Sequence, residues 1–304
     1  MTMWKWMCLF PLLFMMVMIV FVVLIIVVQN RQYKKTEYYE QTKNSYLSVL
    51  FDKGRLGEFY TYKDLKPLDG YKRYLFNLYI PKENGETTEL DVVLLHESGI
   101  YVFESKNYSG WIFGTETQRY WTQTLPAGRG RSQKNKFFNP IMQNKGHIKW
   151  LQAFLVEQAL PFYSYIAFSD RCTLKDIKLT SADHYVMNRH KILSAVRQNI
   201  AKVGKRLSLE KIDDLFEKLY PLTQVDEVRK MTHIQNIQQK TQKSVLQSAP
   251  VVMETPKAEE SICPRCGGKL VMRTAKKGER QGKQFMGCSN FPKCRYIEDL
   301  PDES

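Results

Sequence analysis

The sequence predicts an α/β protein with an apolar anchor before its main domain and a small cysteine module after it. Three observations carry this prediction. An apolar run covers Leu9–Val28, strand-like and helix-like periods of apolar residues alternate over residues 45–222, and two pairs of cysteines lie near the carboxyl end. Both periods in one stretch indicate a sheet with helices packed on it.

Composition and charge restrict the possible partners. The 304 residues suffice for one sizeable domain and an accessory module. The formal net charge of +14 favours nucleic acid or an anionic membrane surface without distinguishing them. Cys8 and Cys172 stand alone, whereas the other four cysteines cluster. This placement is typical of a metal site in a reducing compartment and argues against a disulfide framework.

The amino-terminal segment predicts one membrane-spanning helix at residues 9–28, after a short tail at residues 1–8. About 20 apolar residues cross a bilayer, and the run is too long for a signal peptide and lacks a cleavage site. The positive-inside rule places the amino terminus outside and the later residues in the cytoplasm. Only Lys5 precedes the run, whereas basic residues follow it in a predicted polar spacer at residues 29–44: Arg31, Lys34, Lys35 and Lys43.

A β-hairpin is predicted over residues 89–106, where two apolar runs flank a short polar loop that ends in glycine. If Leu95 pairs with Ile100, the register places Asp91 directly opposite Glu104. Side chains alternate along a strand, so both carboxylates share a face with apolar residues of the hairpin. Opposed carboxylates repel each other, and a fold keeps such a pair most readily when a cation lies between them.

Lys106 lies one step further along the same face and completes a site for metal-assisted hydrolysis. Asp91 and Glu104 would hold Mg²⁺, and the ammonium group would orient or polarise the attacking water. The alternative is an edge strand that ends in a solvated ion pair. Charged side chains on an otherwise apolar face cost free energy to bury unless they have a function or a partner there. This cost favours the metal site over the solvated ion pair.

Further elements follow from periodicity and caps. A helix is predicted from Ser45, one is predicted to be capped by Asn139 with Pro140 in its first turn, and one is predicted to be capped by Ser208.

A basic loop is predicted at Gly128–Lys136, and it either contacts phosphates or is simply solvated. The histidines show no ligand spacing, and no metal is assigned to them. The remaining predicted strands and helices are Tyr74–Ile80, Gly110–Gly114, Arg119–Thr124, Tyr163–Phe168, Asp176–Leu179, His190–Val203 and Ser208–Tyr220.

Asp91 followed by Glu104-Ser105-Lys106 resembles the signature of the PD-(D/E)xK nucleases. Four ordered motifs resemble more narrowly the nuclease-related domain (NERD) family within that superfamily. The motifs are GRLGE at Gly54–Glu58, LDVVLL from Leu90, YVFESKNYSGWIFG at Tyr101–Gly114, and NPIMQ at Asn139–Gln143.

This resemblance implies a restriction-endonuclease-like mixed sheet flanked by helices over residues 45–222. It also implies cleavage of DNA, with RNA a possible substrate, by a site that uses Mg²⁺ or Mn²⁺. The family places an acidic residue of its first helix at the site, which corresponds to Glu58, and a polar residue that corresponds to Gln143. A solvated glutamate and a local hydrogen-bond partner are the alternatives. With the predicted anchor, the resemblance implies a bacterial cytoplasmic membrane protein.

A polar linker is predicted at residues 223–260, followed by a metal module at residues 261–298. Two cysteine pairs offer four thiolates, which fits one structural Zn²⁺: Cys263, Cys266, Cys288 and Cys294. So small a unit depends on the metal for its stability. The segments CPRCGGKLVMR and FMGCSNFPKCRYI resemble the C4 zinc ribbon of type IA topoisomerases. The stretch between the two cysteine pairs is longer here than in the usual form.

The module is rich in basic and aromatic residues, a combination that suits single-stranded DNA because cations follow phosphates and rings stack on bases. A ribbon that docks protein is the alternative. For the whole chain, a non-catalytic membrane tether for nucleic acid and a partner-docking protein stay open beside a nuclease. The candidate nucleic-acid residues are Arg273, Lys276, Lys277, Lys283, Phe285, Phe291, Lys293, Arg295 and Tyr296.

Overall fold

The computed structural model describes residues 3–128, 130–157, 159–226, 230–232, 235–236, 262–275 and 284–299, with side chains from Leu13 onward. The chain forms two compact units, residues 1–238 and residues 239–304. In chain order the helices of the first unit are α1 (Met3–Tyr33), α2 (Glu37–Thr42), α3 (Tyr46–Phe51), α4 (Lys53–Leu65), α5 (Pro140–Leu155), α6 (Ile192–Val203) and α7 (Leu209–Leu219).

The strands of the first unit form two sheets. They are β1 (Lys72–Pro81), β2 (Thr87–His96), β3 (Gly99–Lys106), β4 (Gly110–Thr115), β5 (Tyr120–Pro126), β6 (Ser132–Phe138), β7 (Phe162–Phe168), β8 (Cys172–Lys178) and β9 (His184–Asn188). The main sheet has the order β1-β2-β3-β7-β9, and the smaller sheet has the order β6-β5-β4-β8. β1, β2 and β3 pair antiparallel, whereas β7 joins β3 and β9 joins β7 in parallel. The predicted mixed sheet is confirmed.

Helices cover both faces of the main sheet because β2 and β3 are apolar on both sides. One set of buried residues, which includes Val92 and Phe103, packs with α4 and α6. The other set, which includes Val93 and Val102, packs with α5 and α7. The two predicted caps are present: Asn139 accepts a hydrogen bond from the Ile141 amide, and Ser208 caps α7 in the same way. Ser45, predicted only as the start of a helix, caps α3.

α1 contains Leu13–Tyr33, a segment long and apolar enough to cross a bilayer, with a mean hydropathy of 2.8. The predicted spacer at residues 29–44 is largely helical, because α1 continues to Tyr33 and α2 begins at Glu37. Tyr33 is only 2% exposed. Its hydroxyl donates to the Asn44 carbonyl at 2.9 Å, and its ring contacts Phe59 on α4. The apolar helix is thus joined directly to the core of the first unit.

The smaller sheet corrects the prediction of a basic loop. Residues 132–136 of that segment belong to β6, which pairs with β5 along its whole length. β6 is an exposed edge strand, and cations such as Lys134 are usual on edge strands because they prevent further pairing. β8 begins at Cys172, four residues before the predicted Asp176, and β9 was not predicted. Arg129 lies outside the described residues.

In the second unit, the described residues form a three-stranded antiparallel sheet with the order β10 (Leu270–Thr274), β11 (Gln284–Cys288) and β12 (Ile297–Asp299). The turn that joins β10 to β11, and most of the predicted linker, lie outside the described residues. Three of the cysteines, Cys263, Cys288 and Cys294, form its small buried core with Leu270, whereas Cys266 is exposed.

Candidate active site and metal centre

The hairpin of β2 and β3 has the predicted register. Leu95 pairs with Ile100, and the regular ladder continues to Val92 and Phe103. Beyond that pair a side chain takes part in the hydrogen bonding between the strands: the Ser105 amide donates to Asp91 Oδ2 at 2.8 Å. The carboxylate of Asp91 therefore lies at the end of the ladder beside Glu104.

Glu104 and Lys106 form a buried ion pair on the face covered by α5. Lys106 Nζ donates to Glu104 Oε1 at 2.6 Å and to Gln143 Oε1 at 3.1 Å. Glu104 is only 1% exposed. Gln143 lies in the first turn of α5, so the Asn139–Pro140 start of that helix sets its position. The structure brings Lys106, Glu104 and Gln143 together as the sequence predicts.

The electrostatics of the two carboxylates differ. Burial raises the pKa of Asp91 well above its ordinary value, and the nearby charges of Glu104 and Glu58 add to the effect. Burial also opposes ionisation of Glu104, but Lys106 and His147 outweigh it and hold the pKa of that carboxyl below its ordinary value. Two neighbouring carboxylates are thus held in environments that separate their pKa values, as in many active sites.

His147 is a site residue that the sequence analysis missed. It lies four residues after Gln143 on α5, and its Nε2 is 3.1 Å from Glu104 Oε2. Its Nδ1 is 2.7 Å from Thr88 Oγ1 on β2. Positions four apart share a helix face, so the spacing of Gln143 and His147 was the available signal.

Glu58 lies on α4, and its partners form a second polar cluster beside Asp91. Glu58 Oε2 accepts hydrogen bonds from the Tyr38 hydroxyl at 3.0 Å and from Asn77 Nδ2 at 3.2 Å. Asn77 Nδ2 also donates to Glu89 at 3.1 Å. Asn77 stands opposite Asp91 in the β1–β2 register and has a φ of 50°. Such backbone strain within a strand often accompanies functional sites.

The residues present fit a divalent cation. Asp91 and Glu104 are oxygen donors of the kind that Mg²⁺ and Mn²⁺ bind, and Glu104 Oε2 is buried without a hydrogen-bond partner. Burial of two adjacent carboxylates disfavours their ionisation, and a cation between them would relieve this cost. A metal at this position would supply Lewis acidity and a bound water of lowered pKa.

The four predicted cysteines converge in the second unit. Their sulfur atoms all lie within 4.8 Å of one another, the one such donor group of three or more in the described part of the chain. Cys263 and Cys294 sulfurs are 3.8 Å apart, and those of Cys266 and Cys288 are 3.4 Å apart. Tetrahedral zinc thiolates with bonds of about 2.3 Å place their sulfurs roughly 3.8 Å apart. The predicted zinc site is supported.

Comparison with known families agrees with this geometry. Residues 53–169 match the nuclease-related domain, and residues 260–303 match the topoisomerase DNA binding C4 zinc finger. The chain carries a nuclease-related domain. It also carries a topoisomerase-type C4 zinc ribbon, and both modules are those predicted from the sequence.

The curated relatives match the chain in part. An uncharacterized protein of Bacillus anthracis is 38% identical over 136 residues, which cover 44% of this chain and 61% of that protein. DNA topoisomerase 1 of Methanocaldococcus jannaschii is 58% identical over 51 residues, or 17% of this chain and 6% of the topoisomerase. DNA topoisomerase 1 of Archaeoglobus fulgidus is 51% identical over 39 residues, which cover 13% of this chain and 5% of the topoisomerase. No solved structure matches significantly.

Five of the candidate nucleic-acid residues of the zinc ribbon line one open pocket of about 180 Å³: Arg273, Phe285, Phe291, Arg295 and Tyr296. The guanidinium of Arg273 lies 5.7 Å from the centre of the Phe291 ring, and Phe291 is 57% exposed. Lys293 is also exposed, whereas Lys276, Lys277 and Lys283 lie outside the described residues. An exposed ring beside two guanidinium groups can stack on a base and contact its phosphate.

We expect Glu58→Gln to stabilise the nuclease-related domain at pH 8 by roughly 2 kcal/mol. Burial and the charge of Glu89 raise the pKa of Glu58 from 4.5 to about 7. The ionised carboxylate therefore destabilises the fold progressively as pH rises from 4.5 to 7. The amide removes this cost, while its oxygen still accepts from Tyr38 and Asn77. Urea unfolding of wild type and variant at pH 4.5 and pH 8 measures the difference.

The stabilisation should shrink towards zero at pH 4.5, where the glutamate is protonated in the folded state and half protonated in the unfolded state. Glu217→Gln is the control, because Glu217 is exposed on α7 and such substitutions change stability by less than about 0.5 kcal/mol. Unchanged or lower stability of Glu58→Gln at pH 8 would contradict the interpretation of Glu58 as an unfavourable buried charge.

Proposed function

We propose that the chain is a membrane-anchored, metal-dependent nuclease that hydrolyses phosphodiester bonds in DNA. The observation that carries the proposal is the buried cluster of Asp91, Glu104, Lys106 and Gln143 at one end of the hairpin. A purely structural hairpin would gain nothing from adjacent buried carboxylates, since each costs free energy to bury. The cluster lies within the match to the nuclease-related domain.

In this proposal Asp91 and Glu104 would hold Mg²⁺ or Mn²⁺, and the cation would supply a bound water of lowered pKa and positive charge beside the phosphate. Lys106 contacts Glu104 in the resting state. During the reaction its ammonium group orients the attacking water or stabilises the charge of the phosphorane. Gln143 holds Lys106 in place through its side-chain oxygen. Glu58, whose pKa lies near 7, acts as an auxiliary ligand or base.

The zinc ribbon delivers the substrate in this proposal. Its pocket combines exposed aromatic and basic side chains, which suits single-stranded DNA. The DNA-binding zinc finger that it matches supports this assignment. RNA offers similar bases and phosphates, so it enters the experiment below as a second substrate.

α1 anchors the enzyme in the proposed arrangement. Its span of 21 residues, Leu13–Tyr33, has the length and hydropathy of a transmembrane helix. The excess of basic residues after the span supports an orientation in which the nuclease-related domain and the zinc ribbon lie on the cytoplasmic side of the bacterial inner membrane. Chromosomal or incoming DNA would meet the enzyme at that surface.

The full chain, purified in detergent and saturated with zinc, tests the activity. Labelled single- and double-stranded DNA and RNA are each incubated with Mg²⁺, Mn²⁺ or EDTA. We expect cleavage of DNA with a divalent cation, no cleavage in EDTA, and no cleavage by Glu104→Gln, whose amide binds cations poorly. A variant with a matched change outside the site, Glu217→Gln, should cleave like wild type.

A non-catalytic tether is the second candidate. It is favoured by the ion pair of Glu104 with Lys106, since this pair satisfies one carboxylate oxygen without a metal. In the same experiment the tether predicts tight, salt-sensitive binding of oligonucleotides without cleavage under any metal. That outcome would replace the nuclease proposal.

A further inference from the structure

The short helix α3 leaves two large apolar side chains on the surface of the first unit. Leu47 is 51% exposed and Phe51 is 86% exposed, the highest value among the large apolar side chains of the described residues. Residues four apart lie on the same face of a helix, so the two side chains form one apolar patch, the α3 surface. Grouped apolar side chains on a surface often mark a contact with another molecule or with a membrane.

The fold of the first unit does not require apolar residues at these two positions. α3 is held by Val49, which is fully buried, and by Tyr46, which packs against the same cluster of buried residues. Leu47 and Phe51 take no part in that cluster. Their apolar character is therefore available for a partner outside the fold.

α3 begins beside the end of the apolar run of α1. The Tyr46 hydroxyl donates to Gln29 Oε1 at 2.9 Å, and Gln29 directly follows Val28, where the run ends. The Tyr46 ring also lies 5.4 Å from the Tyr33 ring. Phe51 lies five residues after Tyr46, about 7.5 Å along the axis of α3, and the headgroup layer on each side of a bilayer is roughly 5–7 Å thick. The α3 surface is thus within reach of the headgroups of a bilayer that surrounds α1.

Cations flank the α3 surface along the chain. Residues 31–55 contain six basic residues and three acidic ones, and one of the acidic ones, Asp52, caps α4. Anionic lipid suits both features, because its headgroups attract cations and its acyl chains receive apolar side chains. A second copy of the chain, docked by the same surface, would bring like charges together. The six exposed basic residues are Arg31, Lys34, Lys35, Lys43, Lys53 and Arg55.

We propose that the α3 surface inserts into the headgroup layer of anionic lipid, so that the nuclease-related domain contacts the membrane at a second point besides α1. The inference rests on the proposed anchoring by α1 and adds a lipid-binding surface on the domain side of the anchor. Rotation of a tilted α1 about its own axis changes which face of the domain is turned towards the bilayer. A second contact fixes this rotation, as interfacial anchors do for other membrane helices.

Fluorescence quenching in nanodiscs tests the contact on the full chain. Phe51→Cys is labelled with the fluorophore nitrobenzoxadiazole after the ribbon cysteines have been saturated with zinc, and Cys8→Ser is present in every variant. The nanodiscs contain equal parts of phosphatidylglycerol and phosphatidylcholine, with or without a nitroxide lipid whose quenching group lies near the headgroups. The matched control is a label at Val156→Cys, because Val156 is 81% exposed and follows α5, which packs on the other face of the main sheet.

We expect the label at position 51 to be quenched by the nitroxide lipid at least about twice as strongly as the label at position 156. Its quenching by iodide in the water should be correspondingly weaker. Leu47→Ser should reduce the lipid quenching at position 51, since it removes half of the apolar patch. Leu209→Ser should not, because Leu209 is similarly exposed, at 46%, but lies on α7. Nanodiscs of phosphatidylcholine alone should weaken the lipid quenching by about twofold or more.

The outcomes separate this inference from the proposals on which it rests. Equal lipid quenching at positions 51 and 156, in a chain that stays in the nanodisc, would overturn the lipid contact and leave the anchor standing. Protection of position 51 from iodide without lipid quenching, lost when the protein is diluted, would show that a second copy covers the α3 surface instead. A chain that leaves the nanodisc would overturn the anchoring by α1 and the lipid contact with it, whereas DNA cleavage is measured independently of both.

Discussion

Lys106→Met should abolish DNA cleavage and also destabilise the nuclease-related domain by about 3–5 kcal/mol. Lys106 is the cation that compensates Glu104, which is 1% exposed and 2.6 Å from the ammonium group. Methionine keeps much of the side-chain volume and removes the charge. The buried carboxylate of Glu104 then has no lysine to compensate its charge. We expect the cleavage rate to fall by about 10³-fold or more, because the same change removes the group that positions water.

The double variant Glu104→Gln/Lys106→Met separates the two effects. Removal of both charges should restore most of the lost stability, since the carboxylate that Lys106 compensates is removed with it, while cleavage stays absent. Urea unfolding and a cleavage assay with Mn²⁺ are run on the same preparations. Recovery of cleavage in the double variant would contradict a catalytic role for this pair.

Lys205→Met is the matched control for the charge. Lys205 Nζ lies 2.9 Å from Glu97, but its side chain is 79% exposed. Exposed ion pairs contribute at most about 1 kcal/mol, so this variant should retain both stability and cleavage. A loss of stability as large as that of Lys106→Met would show that burial is not the cause of the effect.

Cys288→Ser should release the zinc and unfold the zinc ribbon. Cys288 ends β11 and is buried in a core of which the cysteines are the main part. Few apolar side chains would remain to hold the sheet, so the metal supplies most of the folding free energy. We expect a fall in bound zinc from one equivalent to near zero. We also expect loss of the dispersed NMR signals of the ribbon and weaker binding of single-stranded DNA by about tenfold or more.

Cys172→Ala is the control. Cys172 is buried in the first unit, so its substitution should leave the zinc content unchanged. The unfolding transition of the nuclease-related domain should also be the same in Cys288→Ser and wild type. Retention of one zinc by Cys288→Ser would contradict the four-thiolate site.

The parts of the fold that the sequence predicted depend on local information. Two continuous apolar runs around a short loop that ends in glycine indicate the register of the β2–β3 hairpin, and short-range caps determine where α5 and α7 begin. Asp91, Glu104 and Lys106 were found because the hairpin alone brings them together. Gln143 and Glu58 came from the resemblance to the family, since nothing local shows that α5 and α4 pack beside the hairpin.

What was missed depends on contacts between distant parts of the chain. His147 reaches Thr88 and Glu104 only when α5 packs on the main sheet, 59 residues along the chain from Thr88. β6 is a polar edge strand, so its residues lack the apolar alternation by which strands are recognised. The burial of Tyr33 depends on Phe59 and Tyr38, which lie in later helices that a local pattern does not relate to α1.

The burial of Tyr33 affects how a membrane-anchored enzyme would meet its substrate. The last turn of α1 packs against the core and does not lead into a flexible linker, so the nuclease-related domain would be held rigidly relative to the membrane-spanning helix. The distance of the domain from the membrane and its orientation would follow the tilt of α1, which hydrophobic matching to the bilayer adjusts. DNA would have to come to the membrane to be cut, and bilayer thickness would become a variable of the reaction.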